Sequence, residues 1–468
     1  MSALDLRALA VERPVHFVGM GGAGMCALAE LLIRSGGRVS GCDVKESRSL
    51  RDVAELGGTV YVGHDADHVR GASAVIFTAA LPSDHPELLA AREAGIPIMK
   101  RAEALGTWVN AGTVIAIAGT HGKTTTTAMT TEILADAGRD PTGIVGGRVT
   151  GWDGNLRYGS GELYVVEADE YDRSFLTLTP DVAVVTNLEA DHLDIYGDLE
   201  GVRGGFADFL AGMRSRGRVI VCADDHGASS LLPAVGPAGY TYGTNAGSML
   251  RATEVSVGAG ATRCTVHEDG ARVGELCLTV GGRHNLLNAL GAAAAARALD
   301  VAWSSIVPAL DEFRGVGRRF ERVGEAQEIA IFDDYAHHPT EIIAALTALR
   351  AMHPDRRLVV AFQPHLYSRT RDFAREFGEA LSLADTVWVT DVFPAREKPI
   401  PGITGETVLE AARAAGARDV HYEASLEALP IAMAGALDGG EVVVTLGAGS
   451  IEATGKALLA RLEEAVHA

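Results

Sequence analysis

Thr113-Val-Ile-Ala-Ile-Ala-Gly-Thr-His-Gly-Lys-Thr-Thr-Thr-Thr127 is the stretch that decides the fold. An apolar, β-branched run feeds a Gly-rich turn, then Lys123, then hydroxyl residues that open a helix. Such a turn aims backbone N–H groups and a helix N-terminus at one point, which suits a polyphosphate. Lys123 can neutralise the outer phosphate oxygens, and the Thr124 hydroxyl can ligate Mg²⁺. The spacing departs from the usual phosphate loop, which wants a glycine five positions before the Gly122-Lys123 pair. Ile117 stands there. The plain alternative is a Gly turn that only joins a strand to a helix.

The same strand-then-helix rhythm runs outward in both directions. Upstream, Val15–Val18, residues 39–42 and Ala74–Phe77 read as strands, and Ala23–Arg34 as a helix with Leu28, Leu31 and Leu32 on its buried side. Short apolar strands separated by helices predict a parallel sheet. A fresh strand near Ala111-Gly112 puts a boundary around residue 108. Strands are expected at 114–118, Leu163–Glu167, 182–186 and 219–222. Alternating residues over 249–280 suggest antiparallel strands, and an Ala-rich helix follows over 285–299. Gly315-Val-Gly-Arg-Arg319 reads as a linker. The last section repeats the rhythm, with strands at 330–332, Leu358–Phe362, 386–390 and Val442–Leu446. The expected fold class is therefore α/β in three domains, 1–108, 109–321 and 322–468.

The chain has 468 residues, too many for one ordinary core, and is 47% hydrophobic. No run approaches the ~18 apolar residues of a membrane span. Met-Ser-Ala-Leu-Asp-Leu-Arg7 lacks the layout of a signal peptide. The formal charge is −20, which disfavours nucleic-acid or anionic-membrane partners. An anionic ligand then needs local cations, and lysines are few: Lys45, Lys100, Lys123, Lys398 and Lys456. Cys26, Cys42, Cys222, Cys264 and Cys277 are odd in number, form no CxxC and sit mostly in apolar stretches. They read as reduced core residues of a cytoplasmic protein, neither disulfides nor a zinc site.

Polar clusters follow the apolar runs. Gly19-Met-Gly-Gly-Ala-Gly24 follows a strand and opens a helix, with Asp43 at the end of the next strand. That pattern requires a diphosphate, whether of a dinucleotide or of a nucleotide-sugar. Asp43 binds a ribose hydroxyl or merely ends a strand. Glu167-Ala-Asp-Glu-Tyr-Asp172 places carboxylates at a strand end, natural Mg²⁺ ligands, with Glu167 favoured over Asp169 and Glu170. In Asn187-Leu-Glu-Ala-Asp-His-Leu-Asp194, His192 is a candidate for a second divalent ion or a phosphate. His284, Asn285 and Asn288 offer edges to a purine, and Asn285 also reads as a helix cap. Arg318 and Arg319 either reach a neighbouring cleft or sit in a solvated turn. In Asp333-Asp-Tyr-Ala-His-His-Pro-Thr-Glu341, adjacent His337 and His338 point apart, against a zinc pair. Arg369 and Arg371, in the next sheet-end cluster, could grip a carboxylate or phosphate.

Taken together and in order, these blocks resemble the Mur ligases, the ATP-dependent amide-forming enzymes of peptidoglycan precursor synthesis. The blocks are Gly19–Met25, Gly119–Thr124, Glu167–Glu170, Asp191–Asp194, Gly282–Asn285, Arg318–Phe320, Asp333–Pro339 and Phe362–His365. The resemblance implies an N-terminal Rossmann-like domain for the UDP part of the substrate, a central P-loop-type ATPase domain and a C-terminal Rossmann-like domain for the amino acid. It implies that Gly19, Gly21, Gly22, Gly24 and Asp43 meet the UDP substrate. It further implies that Gly119, Thr120, His121, Gly122, Lys123, Thr124 and Thr125 cradle ATP, with Thr124, Glu167 and His192 on Mg²⁺. His284, Asn285, Asn288 and Arg319 would serve the nucleotide, and Tyr335 and Arg369 the amino acid. Lys123, His192, Arg318 and His337 would act in catalysis. Departures are Leu366, where many relatives have Arg, and Tyr171, where Ser is common. No lysine lies between Lys123 and Lys398, so a carbamylated lysine after Asp194 is excluded.

The implied reaction joins L-alanine to the carboxylate of UDP-N-acetylmuramate through an acyl phosphate, in a monomer or homodimer with neither nucleic-acid nor membrane partners. The physical problem is repulsion between a carboxylate and a triphosphate, which Lys123, Mg²⁺ and arginines reduce. A recycling ligase that attaches an intact peptide is the nearest alternative. An oxidoreductase with an accessory ATPase domain and a nucleotide-gated regulator are more distant ones.

Overall fold

Strands that are apolar at every position must be covered on both faces, which a parallel sheet with helices on each side provides. The central strands of three sheets are built this way. The structure, a computed structural model, describes residues 5–152, 154–236, 239–258, 261–395 and 397–467. Residues 1–4 of the segment read for a leader, and 259–260 of the stretch read as antiparallel, lie outside the described residues.

The first sheet holds β1 (Val15–Val18), β2 (Val39–Asp43), β3 (Thr59–Val62), β4 (Ala74–Phe77) and β5 (Ile98–Lys100), in the order β3-β2-β1-β4-β5. All its pairings are parallel. The chain leaves β1 toward β2 on one side and β4 lies on the other, so the turn after β1 emerges where the strand order reverses. Ligands of open α/β sheets bind at that crevice. The helix Ala23–Arg34 follows, with Leu28, Leu31 and Leu32 buried as expected.

The central sheet holds β6 (Thr113–Ala118), β7 (Thr142–Ile144), β8 (Leu156–Arg157), β9 (Leu163–Glu167), β10 (Val182–Val185), β11 (Arg218–Cys222), β12 (Gly239–Gly243), β13 (Leu250–Gly258), β14 (Ala261–Glu268) and β15 (Ala271–Leu278). Its order is β15-β14-β13-β12-β11-β10-β6-β9-β7-β8. β6 lies between β9 and β10 and is parallel to both, with Ile117 opposite Glu167 and Ala118 opposite Val185. The third sheet holds β16 (Glu321–Ala326), β17 (Ile329–Asp334), β18 (Leu358–Phe362), β19 (Thr386–Val389), β20 (Asp419–Tyr422) and β21 (Val442–Leu446), in the order β16-β17-β21-β18-β19-β20. Only β16 pairs antiparallel there.

Packing divides the chain into two compact units. One comprises Met1–Thr253, Thr265–Leu276 and Leu287–Phe313, and the other Glu254–Cys264, Cys277–Leu286 and Arg314–Ala468. The first unit contains both the first sheet and most of the central one. A single buried cluster runs through it, from Leu6 and Phe17 past Trp108 to Phe175 and Val221. Arg7 lies over the Trp108 ring at 4.5 Å, and Lys100 Nζ reaches Asp172 Oδ2 at 2.6 Å. Among the described residues, no helix is long and apolar enough to cross a membrane.

The Ala-rich helix runs Arg283–Arg297, so Asn285 lies inside its first turn and not at the cap. Its Nδ2 donates to Gly281 O at 2.9 Å, one turn back.

The acidic turn after β9 is anchored by aromatic packing. Phe175 is buried, stacked on Phe209 at 4.9 Å and edge-on to Phe206 at 5.3 Å, and its N–H donates to Asp169 O. Phe175→Ala is expected to cost about 3–5 kcal/mol of stability in denaturant unfolding. A loss below about 1 kcal/mol would mean the turn is held by other contacts.

Candidate active site

The loop after β6 is built by two glycines. Gly122 has φ +79° and caps the helix Lys123–Asp136, and a Cβ there would stand 2.4 Å from Asn288 Oδ1. A Cβ on Gly119, at φ +142°, would stand 2.0 Å from Thr186 Oγ1. Only glycine combines such backbone angles with so close an approach. The neighbouring strand end grips the loop. His121 N–H donates to Asn187 Oδ1 at 2.7 Å, Thr186 Oγ1 donates to His121 O at 2.7 Å, and Glu189 N–H donates to Thr120 Oγ1 at 2.9 Å.

Because β9 and β10 flank β6, their C-terminal turns converge on this loop. Thr124 Oγ1 lies 3.0 Å from Glu167 Oε1, and Gly146 N–H donates to Glu167 Oε2 at 2.6 Å. Lys123 Nζ donates to Gly119 O at 2.6 Å and Thr120 O at 3.1 Å, and pairs with Glu170 Oε2 at 2.8 Å. His192 Nε2 stands 3.8 Å from Glu170 Oε1 and 3.9 Å from Asp191 Oδ2. Asn288 accepts from Thr126 Oγ1 at 3.3 Å, so it abuts the same helix start. The structure thus gathers Gly119–Thr125, Glu167, His192 and Asn288 around one loop. Asp194 is exposed.

One lysine stands among three carboxylates in this cluster. Burial drives Glu170 up to about 7, against the pull of Lys123. Burial by itself would lower Lys123, but the charges of Glu170, Asp169 and Glu167 hold it above the usual lysine range. Lys123 is therefore a cation at neutral pH. The sequence favours Glu167 over Glu170, whose role as the lysine's partner emerges only from the fold. Tyr196 fixes it further, donating its hydroxyl to Glu170 O at 2.7 Å.

In the first sheet, Gly19, Gly21 and Gly22 form the turn from β1, and Gly22 caps the helix that contains Gly24. Asp43 is more than a strand end: its Oδ2 accepts the Gly21 N–H at 2.8 Å and holds the turn. Arg101, unread in the sequence, packs its guanidinium against Gly24. It supplies a cation beside a diphosphate-type turn.

The second unit brings together the ends of β17, β21 and β18, with Asp334 opposite Leu446 and Leu446 opposite Phe362. Arg318 and Arg319 are not a solvated linker. Arg318 Nε reaches Asp333 at 3.2 Å and Glu452 at 3.0 Å, and its Nη2 donates to Gly447 O at 2.7 Å. Arg319 lies 3.4 Å from Glu341, and both guanidiniums sit over the Tyr335 ring at about 5 Å. Burial raises Asp334 to about 6, with Arg319 opposing, while Asp334 accepts the N–H of Phe320 and Ala336. His337 Nδ1 lies 2.9 Å from Tyr335 O, which in the neutral ring places the lone pair on Nε2. His338 faces elsewhere as the cap of Pro339–Met352. Arg369 is buried, whereas Arg371 is exposed and bound to Asp372. Leu366 is buried at φ +67°, and its N–H donates to Phe393 O.

His284 is in the same unit, edge-on to Phe320 at 6.1 Å. Burial lowers it to about 4, and the nearby Arg319 adds to the shift. It is thus a neutral imidazole near pH 7. The folded chain binds this proton only below about 4, while the unfolded chain binds it from about 6.5. Unfolding takes up a proton between those values, so this site's contribution to stability falls as pH drops from 6.5 to 4. His284→Gln should flatten that part of the wild-type curve of melting temperature against pH. An unchanged slope would refute the burial of a neutral ring.

Family models match in sequence along the chain. The Mur ligase family catalytic domain covers residues 14–113, the Mur ligase middle domain 117–296, and the Mur ligase glutamate ligase domain 318–449. A UDP-N-acetylmuramate–L-alanine ligase of Geobacter sulfurreducens is 44% identical over 97% of this chain and 98% of its own length. One from Delftia acidovorans is 43% identical over 96% of each. Among solved structures, a UDP-N-acetylmuramate–alanine ligase from Thermotoga maritima superposes with a TM-score of 0.83 at 30% identity, covering 97% of this chain and all of that one. A murein peptide ligase from Psychrobacter arcticus gives 0.72 at 25%, covering 96% and 98%. With near-complete coverage in both directions, the chain belongs to the Mur ligase family.

Proposed function

We propose that this chain joins L-alanine to the carboxylate of UDP-N-acetylmuramate with consumption of ATP, through an acyl phosphate, as a cytoplasmic step of peptidoglycan precursor synthesis. The observation that carries the reading is the meeting of Lys123, Thr124 and Glu167 at the ends of adjacent strands β6 and β9. The relatives named for this reaction supply the substrate identities.

The residues present fit the groups the reaction needs. The Thr124 hydroxyl and Glu167 carboxylate are hard oxygen donors 3.0 Å apart, the kind Mg²⁺ takes, with His192 nearby for a second ion. Bound there, Mg²⁺ would neutralise phosphate charge as the acid approaches. Lys123 presents a fixed cation to the same phosphates. The loop N–H groups and the helix Lys123–Asp136 add a positive dipole end. His284, Asn285, Asn288 and Arg319 are assigned to the nucleotide. The turn Gly19–Gly24, with Asp43, is assigned to the UDP moiety. Tyr335 and Arg369 are assigned to the amino acid, Arg318 to transition-state charge, and His337 to the proton of the incoming amine through Nε2. The domain limits that go with these roles are 108 and 321.

The peptide-recycling ligase is the second reading, favoured by the likeness to the murein peptide ligase. One assay separates the two. ADP release with Mg²⁺-ATP and UDP-N-acetylmuramate should depend on L-alanine, and tripeptide-only turnover would select the second reading. Lys123→Ala should lower turnover by roughly 10²–10³-fold or more. Near-normal rates in that variant would remove Lys123 from the phosphate site.

A further inference from the structure

His16, Cys42, His68 and Glu87 come from four separate elements of the first domain: β1, β2, the turn Ala66–Val69 and the helix Pro86–Glu93. His16, Cys42 and Glu87 are fully buried and His68 is partly buried. One ligating atom from each lies within 4.8 Å of all the others. Strand geometry brings the first two together. His16 pairs with Ser40 and Val18 with Cys42, so His16, Ser40 and Cys42 share one face of the sheet.

The spacings bracket those of a coordination shell. Cys42 Sγ lies 3.1 Å from Glu87 Oε1 and 3.8 Å from His16 Nε2. Glu87 Oε1 lies 2.9 Å from His68 Nδ1 and 3.9 Å from His16 Nε2. A tetrahedron with zinc–nitrogen bonds of about 2.0–2.1 Å and zinc–sulfur bonds of about 2.3 Å has edges of about 3.3–3.6 Å, the centre of this range. The rings are also held from behind. His16 Nδ1 lies 2.9 Å from Ser40 Oγ, and His68 stacks on Tyr61 with centroids 4.2 Å apart. An oriented outer partner is what metal-ligating imidazoles carry.

A buried carboxylate needs one cation for balance. Glu87 faces a thiol and four imidazoles. His64 Nδ1 is 3.1 Å from its Oε2, and His85 Nδ1 is 3.7 Å away, buried and without a hydrogen-bond partner among the described residues. Four imidazoles and a thiol gathered on one carboxylate exceed the single partner that neutralisation requires. The mixed set disfavours Mg²⁺ and Ca²⁺, which take oxygen.

We propose that His16, Cys42, His68 and Glu87 bind one divalent transition-metal ion of the zinc class, pinning β1 and β2 to the turn and helix beside the Gly19–Gly24 loop. On binding, the Cys42 thiol releases its proton to solvent and coordinates as thiolate. The site is separate from the loop after β6 and does not depend on the reaction assigned to it.

Cobalt titration of the full chain, stripped of metal and held in excess Mg²⁺, tests the proposal. One equivalent of Co²⁺ should produce a thiolate-to-cobalt band in the near ultraviolet and tetrahedral visible bands, both abolished by competing Zn²⁺. Cys42→Ser should lose the thiolate band, His68→Gln should weaken binding, and Ser40→Ala should weaken it by roughly 10–100-fold. Absence of the band in the wild-type chain would overturn the proposal and leave a carboxylate–imidazole network. A band that persists in Cys42→Ser would also overturn it, by placing the ion on another cysteine. Should Cys42→Ser fail the circular-dichroism check for folding, His68→Gln decides: unchanged cobalt affinity there overturns the site.

Discussion

The candidate site depends on one constraint, the register of β6 between β9 and β10. Parallel pairing sets Ile117 against Glu167 and Ala118 against Val185, so three chain segments leave the sheet at the same level. A slip of one residue would turn every side chain of a strand to the opposite face. Glu167 would then leave Thr124, and Asn187 would no longer reach the His121 N–H. The register is strongly determined because these strands are apolar and buried on both faces. Burial that serves stability thereby also sets the positions of polar groups that no local interaction holds.

Electrostatics works on top of that frame. The chain carries a formal charge of −20, yet its phosphate-type loop concentrates a lysine among Glu167, Asp169 and Glu170. Coulomb attraction to Glu170 compensates the desolvation of Lys123, and two loop carbonyls complete its hydrogen bonding. The ammonium group is therefore oriented by the resting protein. A polyanion that enters meets a cation already aimed, and little reorganisation is left for the reaction itself. The second unit uses the same device with arginine, holding Arg318 by Asp333 and Glu452 and stacking it on Tyr335.

What was legible in the sequence follows from burial. Val15–Val18, Ala74–Phe77 and Leu358–Phe362 are continuous apolar runs because they are central strands, and each has the expected bounds. β3 and β20 escaped notice because they are edge strands with partly exposed residues and polar positions. Lys123, Thr124 and Glu167 were readable because each stands at a fixed offset from such a run. Glu170 as the partner of Lys123 was not, since 47 residues separate them and only the fold closes the distance. Arg101 and Asn187 were hidden for the same reason. Cys42 is a buried free thiol, as its apolar surroundings in the sequence imply, but its neighbours His16, His68 and Glu87 come from distant elements that local spacing cannot reveal.

Cys42 and Asp43 are consecutive on β2, so their side chains point to opposite faces. Asp43 goes to the Gly21 N–H and fixes the diphosphate-type turn; Cys42 goes to the imidazole and carboxylate cluster behind it. One short strand therefore links the two. Its other residues are buried glycine, serine and valine, with Gly41 packed so closely on Phe17 and Met20 that a Cβ there would overlap both. A strand packed that tightly has little room to rotate or slide. Any group that fixes Cys42 on one face also fixes Asp43, and through it the Gly21 N–H, on the other. The precision of the turn after β1 thus depends on what holds the buried side of β2 as much as on the glycines themselves.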